Sequence, residues 1–224
     1  MRWFGKKASD LPFVQDYLEI NRKPPSPASE LSELKLVVID IETSGLDIQK
    51  DRILSVSTLC IDCMELSIDS AQQWIVYQLD TFWNEAIEIH GILPSETQHG
   101  KPEDEVLREL LSILENHPVI GHHVGFDMKM LDRATRRHFG LKLRNRMVDT
   151  AHLSMQVLEA FHRTGYPGQR PPSLDEVCAQ LNITVLDRHT STGDAYACAE
   201  AFLLLCARLR KNYGRSLRLK DLSI

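Results

Sequence analysis

Residues Leu34–Ile41 form a run rich in Val and Ile, yet the run leads into Val38-Ile39-Asp40-Ile41-Glu42-Thr43, with two acids at its end. Such a run reads as a strand buried on both faces. Side chains alternate along a strand, so carboxylates two residues apart project from the same face. Two anions side by side at the end of an apolar strand are costly unless something positive compensates. A hard divalent cation held by oxygen ligands is the simplest compensator. Taken alone, the D-x-E pattern fits equally well a strand fraying into a solvated loop.

The pattern around this strand predicts its company. Ile53–Ile61 alternates as a second strand, a third is expected around Trp74–Leu79, and residues 84–92 look helical up to a break at Gly91 and Pro94. Glu103–Glu115 carries Val106, Leu107, Leu110, Leu111 and Leu114 at helical spacing, and a short strand at His117–Gly121 follows. Phe126–Phe139 is a further helix, Arg146–Asp149 a short strand, residues 150–161 and 173–181 are helices, and Thr192–Lys211 is the last long one. Strands first and then alternating helix and strand predict an α/β fold with a mixed central sheet flanked by helices, its first three strands an antiparallel meander. Residues 11–22 can form a short amphipathic helix, and KPPSPASE after them reads as a linker. The expected organisation is therefore residues 1–31 as helix and linker, 32–212 as the main domain, and 213–224 as a short tail, in keeping with one domain for 224 residues.

Charge narrows the function. With 26 basic and 31 acidic residues the chain has net charge −5 and lacks the broad positive field that non-specific duplex binding needs. Contact with nucleic acid would have to be local, metal-assisted or helped by a partner. Five scattered cysteines fit no secreted disulfide framework, the opening residues do not read as a signal peptide, and the apolar run Ala201–Ala207 is too short to span a bilayer. A cytoplasmic protein with no membrane contact is expected.

Two further acidic motifs stand at expected helix starts: Gly121-His122-His123-Val124-Gly125-Phe126-Asp127, and His189-Thr190-Ser191-Thr192-Gly193-Asp194-Ala195. Each alone is also what helix capping and the helix dipole favour. Together, a strand end and two helix starts are how carboxylates would be gathered at one edge of a sheet.

DIETSGL, GHHVGFD and H-x4-D followed by Ala resemble, in order, the three exonuclease motifs of the DEDDh family, over roughly residues 34–210. Ile89-His90-Gly91-Ile92 and Val148-Asp149-Thr150 resemble its epsilon-like branch, that of the proofreading subunits of bacterial DNA polymerase III. The resemblance implies a ribonuclease-H-like fold and 3′–5′ removal of nucleoside 5′-monophosphates with two Mg²⁺ or Mn²⁺ ions. It further implies that Asp40 bridges both ions, that Glu42 and Asp194 complete one site, that Asp127 holds the other ion, and that His189 is the general base. Thr43, Ser44 and Leu46 would line the terminal nucleotide, with His90 bordering the pocket. His123 stands where family members commonly have Asn, and neutral His divides between two ring nitrogens the donor and acceptor roles that an amide combines.

The expected substrate is single-stranded or frayed DNA, with RNA or short oligonucleotides as the alternative, since the site chemistry neither requires nor forbids a 2′-hydroxyl. A role in DNA repair or turnover fits the short C-terminal extension. An interaction subunit docking a polymerase or other partner through the helix at 11–22 is the reading from another class. Cys60-x-x-Cys63 has no second pair at finger spacing and reads as core or surface thiols. The basic run from Arg133 to Arg146 fits a nucleic-acid track or a solvated face, and Arg163–Arg170 with Tyr166 a gripping loop or simply a loop.

Overall fold

In the computed structural model, which describes residues 11–79, 85–162 and 169–222, the apolar run becomes β1 (Lys35–Thr43). β1 lies in the middle of a five-stranded sheet with β2 (Ile53–Asp62), β3 (Glu65–Ile75), β4 (Val119–Gly121) and β5 (Met147–Asp149), in the order β3-β2-β1-β4-β5. β1–β2 and β2–β3 are antiparallel, whereas β1–β4 and β4–β5 are parallel. The sheet is mixed, as the sequence predicts. β1 is where its strand direction changes.

Alternation along β1 builds two cores. Val37, Ile39 and Ile41 pack with Val106, Leu107 and Leu110 of α4 (Glu103–Leu114) and Met130 and Leu131 of α5 (Gly125–Phe139). Leu36 and Val38 pack on the other face with Leu153 of α6 (Thr150–Val157), Val177 of α7 (Leu174–Leu181) and Phe202 and Leu205 of α8 (Ser191–Tyr213). Asp40 and Glu42 continue the even-numbered row and therefore face α8. Two short helices, α2 (Glu85–His90) and α3 (Pro94–Thr97), join β3 to α4.

The third strand lies upstream of its expected place at Trp74–Leu79. β3 is a polar edge strand, ELSIDSAQQWI, whose side chains are half-buried or exposed apart from Trp74, so it gives little hydrophobic signal. The helix expected over 150–161 ends at Val157 and a 3₁₀ turn at Glu159–Phe161 follows. Asn84 and residues 163–168, including Tyr166, lie outside the described residues.

Both flanking segments pack into the domain. In α1 (Pro12–Ile20), Val14 and Tyr17 are buried in the α4/α5 core. The Tyr17 hydroxyl donates to Asn145 Oδ1 at 2.6 Å and accepts from the Arg144 N–H at 2.8 Å. Val14 and Tyr17 of the helix expected to dock a partner are thus covered by this chain. The Pro/Ser segment pairs with the C-terminal one: the Leu31 N–H donates to the Leu217 carbonyl, the Leu219 N–H to that of Ser29, and Leu31, Leu217, Leu219 and Leu222 are buried. Among the described residues, no helix is long and apolar enough to cross a membrane.

Candidate active site

The parallel β1–β4 pair brings two strand ends to the same edge of the sheet. Asp40 and Glu42 come from the end of β1. Just beyond β4 the chain turns through His122–Val124 into α5, whose first turn carries Asp127. Asp127 is 7% exposed, and its Oδ1 accepts the Ile41 N–H at 3.2 Å, which holds the carboxylate against β1 between the two strand acids. Asp194 comes from the first turn of α8 and is 8% exposed. One carboxylate oxygen each from Asp40, Glu42 and Asp194 lies within 4.8 Å of the others.

What sets α8 against β1 is a hydroxyl clamp that the sequence analysis missed. Ser57 pairs with Asp40 and Ser55 with Glu42 in the β1–β2 register. Both serine hydroxyls lie 2.7 Å from Ser191 Oγ, and Ser57 Oγ lies 3.0 Å from Thr192 Oγ1. The buried residues Ser55, Ser57 and Ser191 satisfy one another and fix the start of α8, and with it Asp194, over the strand acids. Thr190 caps the helix by accepting the Gly193 N–H at 3.0 Å. Gly193 is required because a Cβ there would lie 2.2 Å from the Asp187 carbonyl oxygen.

Burial and mutual repulsion raise the proton affinity of the cluster. Burial, followed by the neighbouring charge of Asp127, pushes Asp40 well above the usual carboxylate range. Burial and then Asp194 push Glu42 up to about 8, and burial pushes Asp127 up to about 7. Burial also raises Asp194, opposed by Arg188. Carboxylates in this state are charged together only when a cation compensates. The donor set is oxygen alone and suits a hard divalent ion such as Mg²⁺ or Mn²⁺. The residues present therefore fit the metal implied by the motifs, Asp40, Glu42 and Asp194 being able to hold an ion.

His189 is exposed on the loop before α8, with φ +64°, and its N–H donates to Asp194 Oδ1 at 3.3 Å. Beside it Arg188, also missed, forms an ion pair with Asp194 and grips Asp175 of α7 through Nε at 2.6 Å and Nη2 at 3.2 Å. Nothing in the spacing of the motifs marks Arg188, because Asp175 is thirteen residues away in sequence.

The loop after β1 is built around Asp51. The Ser44 hydroxyl donates to Asp51 Oδ1 at 2.9 Å, the Asp47 N–H to Oδ2 at 2.7 Å, and a Cβ on Gly45 would lie 2.5 Å from that carboxylate. Thr43 is buried, and its hydroxyl donates to the Gly45 carbonyl at 2.7 Å. Leu46 is 84% exposed at the tip. His90 is buried: its Nδ1 accepts the Ile92 N–H at 3.0 Å, and its Nε2 has no hydrogen-bond partner among the described residues.

His122 and His123 have different tasks. His122 lies 2.9 Å from Thr150 Oγ1 and 3.0 Å from the Pro172 carbonyl, and burial pushes its pKa down to about 4, so it is a neutral structural tie. His123 is exposed at φ +56°, with its N–H donating to Asp149 Oδ1 at 3.1 Å.

Part of the basic run is paired or used for bracing. Arg136 pairs with Asp132, Arg137 and His138 with Glu103, and Arg133 donates to the Ile48 and Asp51 carbonyls, bracing the loop after β1. Cys60 is buried and Cys63 sits exposed at the β2–β3 turn.

The exonuclease family model matches residues 37–202, which contain all three motifs. DNA polymerase III subunit epsilon of Aquifex aeolicus is 27% identical over 179 residues, covering 80% of this chain and 83% of that relative. DNA polymerase III PolC-type of Thermotoga petrophila is 27% identical over 183 residues, or 82% of this chain, which spans only 13% of that protein's length. Among solved structures, E. coli Exonuclease I in complex with a dT13 oligonucleotide matches with TM-score 0.65 at 18% identity, over 81% of this chain and 43% of that one. A moderately thermophilic Exonuclease I from Methylocaldum szegediense gives TM-score 0.65 at 19% identity, over 81% of this chain and 42% of that one. With a family match over most of its length and its acids gathered at the edge of a ribonuclease-H-like sheet, this chain belongs to the exonuclease family.

Proposed function

We propose that the protein removes nucleoside 5′-monophosphates from the 3′ end of single-stranded or frayed DNA, using two divalent ions, Mg²⁺ or Mn²⁺. The observation that carries this reading is the convergence of Asp40, Glu42 and Asp194 within 4.8 Å, with Asp127 held against β1 beside them. The solved relatives' complexes with dT13 and dA16 oligonucleotides favour single-stranded DNA as the substrate.

When bound, the ions supply Lewis-acid activation of a water and charge stabilisation for the leaving 3′ oxygen. Asp40 is assigned to both ions, Glu42 and Asp194 to one, and Asp127 to the other. His189 accepts the proton of the attacking water. Its imidazole is exposed on the loop before α8, next to Asp194, where it can meet the substrate. The loop after β1 seats the terminal nucleotide, with Thr43 and Ser44 at the sugar and the exposed Leu46 against the base, where it loses apolar surface to water. His90 borders this pocket, and His123 replaces the amide common in the family as a substrate contact.

The test is parallel digestion of 5′-labelled single-stranded DNA and RNA of one sequence with Mg²⁺ or Mn²⁺, with Asp40→Ala as control. A ladder shortening from the 3′ end on DNA, absent in a folded Asp40→Ala protein, is the expected result. Strong preference for RNA would assign the protein to RNA turnover, and degradation of neither, or wild-type rates in Asp40→Ala, would refute the site.

A further inference from the structure

Arg188 reaches into the acidic cluster from outside the three motifs. Its guanidinium is anchored on one side by Asp175 in the first turn of α7, through Nε at 2.6 Å and Nη2 at 3.2 Å, and its Nη1 forms an ion pair with Asp194 Oδ2. The other oxygen of Asp194 accepts the His189 N–H at 3.3 Å. Both oxygens of a carboxylate assigned to metal are thus engaged by consecutive residues of one loop. That loop is tightly held: Asp187 and His189, on either side of Arg188, have φ of +51° and +64°, and the Asp187 carbonyl lies against Gly193. Left-handed backbone at two such residues persists only where surrounding contacts over-determine it. The fork on Asp175 and the close approach at Gly193 are those contacts.

We propose that Arg188 is a latch on metal occupancy: an internal cation, pre-aimed by Asp175, that a divalent ion must displace from Asp194 in order to bind. A guanidinium donates in a fixed planar fork, so anchoring Nε and Nη2 orients Nη1 at no further cost in side-chain freedom. Because the Arg188 side chain is 25% exposed and that of Asp194 11%, the pair is screened less than a surface pair. Arg188 and a divalent ion then compete for the same carboxylate. Arg188 is a positioning residue here. The inference rests on the metal assignment proposed above.

The test reads metal binding rather than turnover. The full chain is stripped with chelator and titrated with Mn²⁺, occupancy being followed by the rise in unfolding temperature and by calorimetry. Arg188→Gln is expected to unfold at a lower temperature than wild type without metal and to bind Mn²⁺ about three- to tenfold more tightly. Asp175→Asn, which unfastens the guanidinium while leaving it charged, tightens binding by a smaller factor and adds nothing in the Arg188→Gln background. Arg136→Gln, which removes the same charge from the surface of α5, leaves the binding constant unmoved. Unchanged or weaker binding in Arg188→Gln, additive effects of the two latch variants, or an equal gain from Arg136→Gln would overturn the latch while leaving the metal reading standing. Absence of any Mn²⁺ response in the wild type would overturn both.

Discussion

His189 shows what a single residue contributes and how it can be read. Its type and its five-residue spacing from Asp194 are visible in the sequence, where the resemblance marks it for the proposed role of general base. His189→Ala is expected to lower kcat by about 10²–10⁴ and to leave the Mn²⁺-dependent rise in unfolding temperature intact; a change confined to KM would make it a binding residue instead. The four carboxylates were legible for the same reason. Arg188, Ser55, Ser57 and Ser191 were not, because their roles come from partners far off in sequence, 134 and 136 positions in the case of the serines. The sequence could offer only a serine in a helix cap and two in a strand.

At the scale of elements, the start of α8 is placed by close approach. A Cβ at Gly193 would overlap the Asp187 carbonyl at 2.2 Å, backbone against backbone, so the loop carrying Arg188 and His189 would have to move. Gly193→Ala is therefore expected to cut kcat at least about tenfold, since a displacement of about 1 Å in a catalytic group costs up to 10²-fold, while circular dichroism shows the helices retained. Wild-type kcat would show that the loop tolerates the shift. Helices were legible from their apolar spacing, and β1, β2 and β4 from their β-branched runs. β3 was displaced in the reading because an edge strand with one solvated face lacks that signature. The basic run was open in sequence to two meanings, and the structure adds ion pairs of Arg136 with Asp132 and of Arg137 with Glu103 and a bracing role for Arg133.

For the whole molecule, the acidic cluster inverts the usual pH dependence of carboxylates. Glu42 and Asp127 are pushed up to about 8 and about 7 in the folded chain, so the folded state holds their protons more tightly than the unfolded state does. That stabilisation is complete below the ordinary carboxylate range and is lost as pH rises through 7 and 8. His122, pushed down to about 4 from an ordinary 6.5, has the opposite sign, and its contribution is already complete above 6.5. The unfolding temperature of chelator-treated protein is expected to fall between pH 6.5 and 8, and saturating Mn²⁺ to remove the fall; a flat or rising profile without metal would contradict the raised carboxylates. Deleting residues 1–31 removes the buried side chains of Leu11, Val14, Tyr17 and Leu31 from the core. At about 1.5–3 kcal/mol for each large apolar side chain this comes to roughly 5 kcal/mol or more, comparable with the whole stability of a domain, so the truncated chain is expected to be insoluble or to unfold well below wild type; an unchanged unfolding temperature would show that the segment is an appendage. The sequence by itself determined the mixed sheet and its flanking helices and marked the acids and histidine of the candidate site, because periodicity and chemically demanding residue types are local signals. Tertiary structure alone decided the clamp that sets α8 over β1, the cation drawn onto Asp194 and the packing of residues 11–31 and 217–222 into the core, because each depends on which distant residues meet once the faces of the sheet are covered.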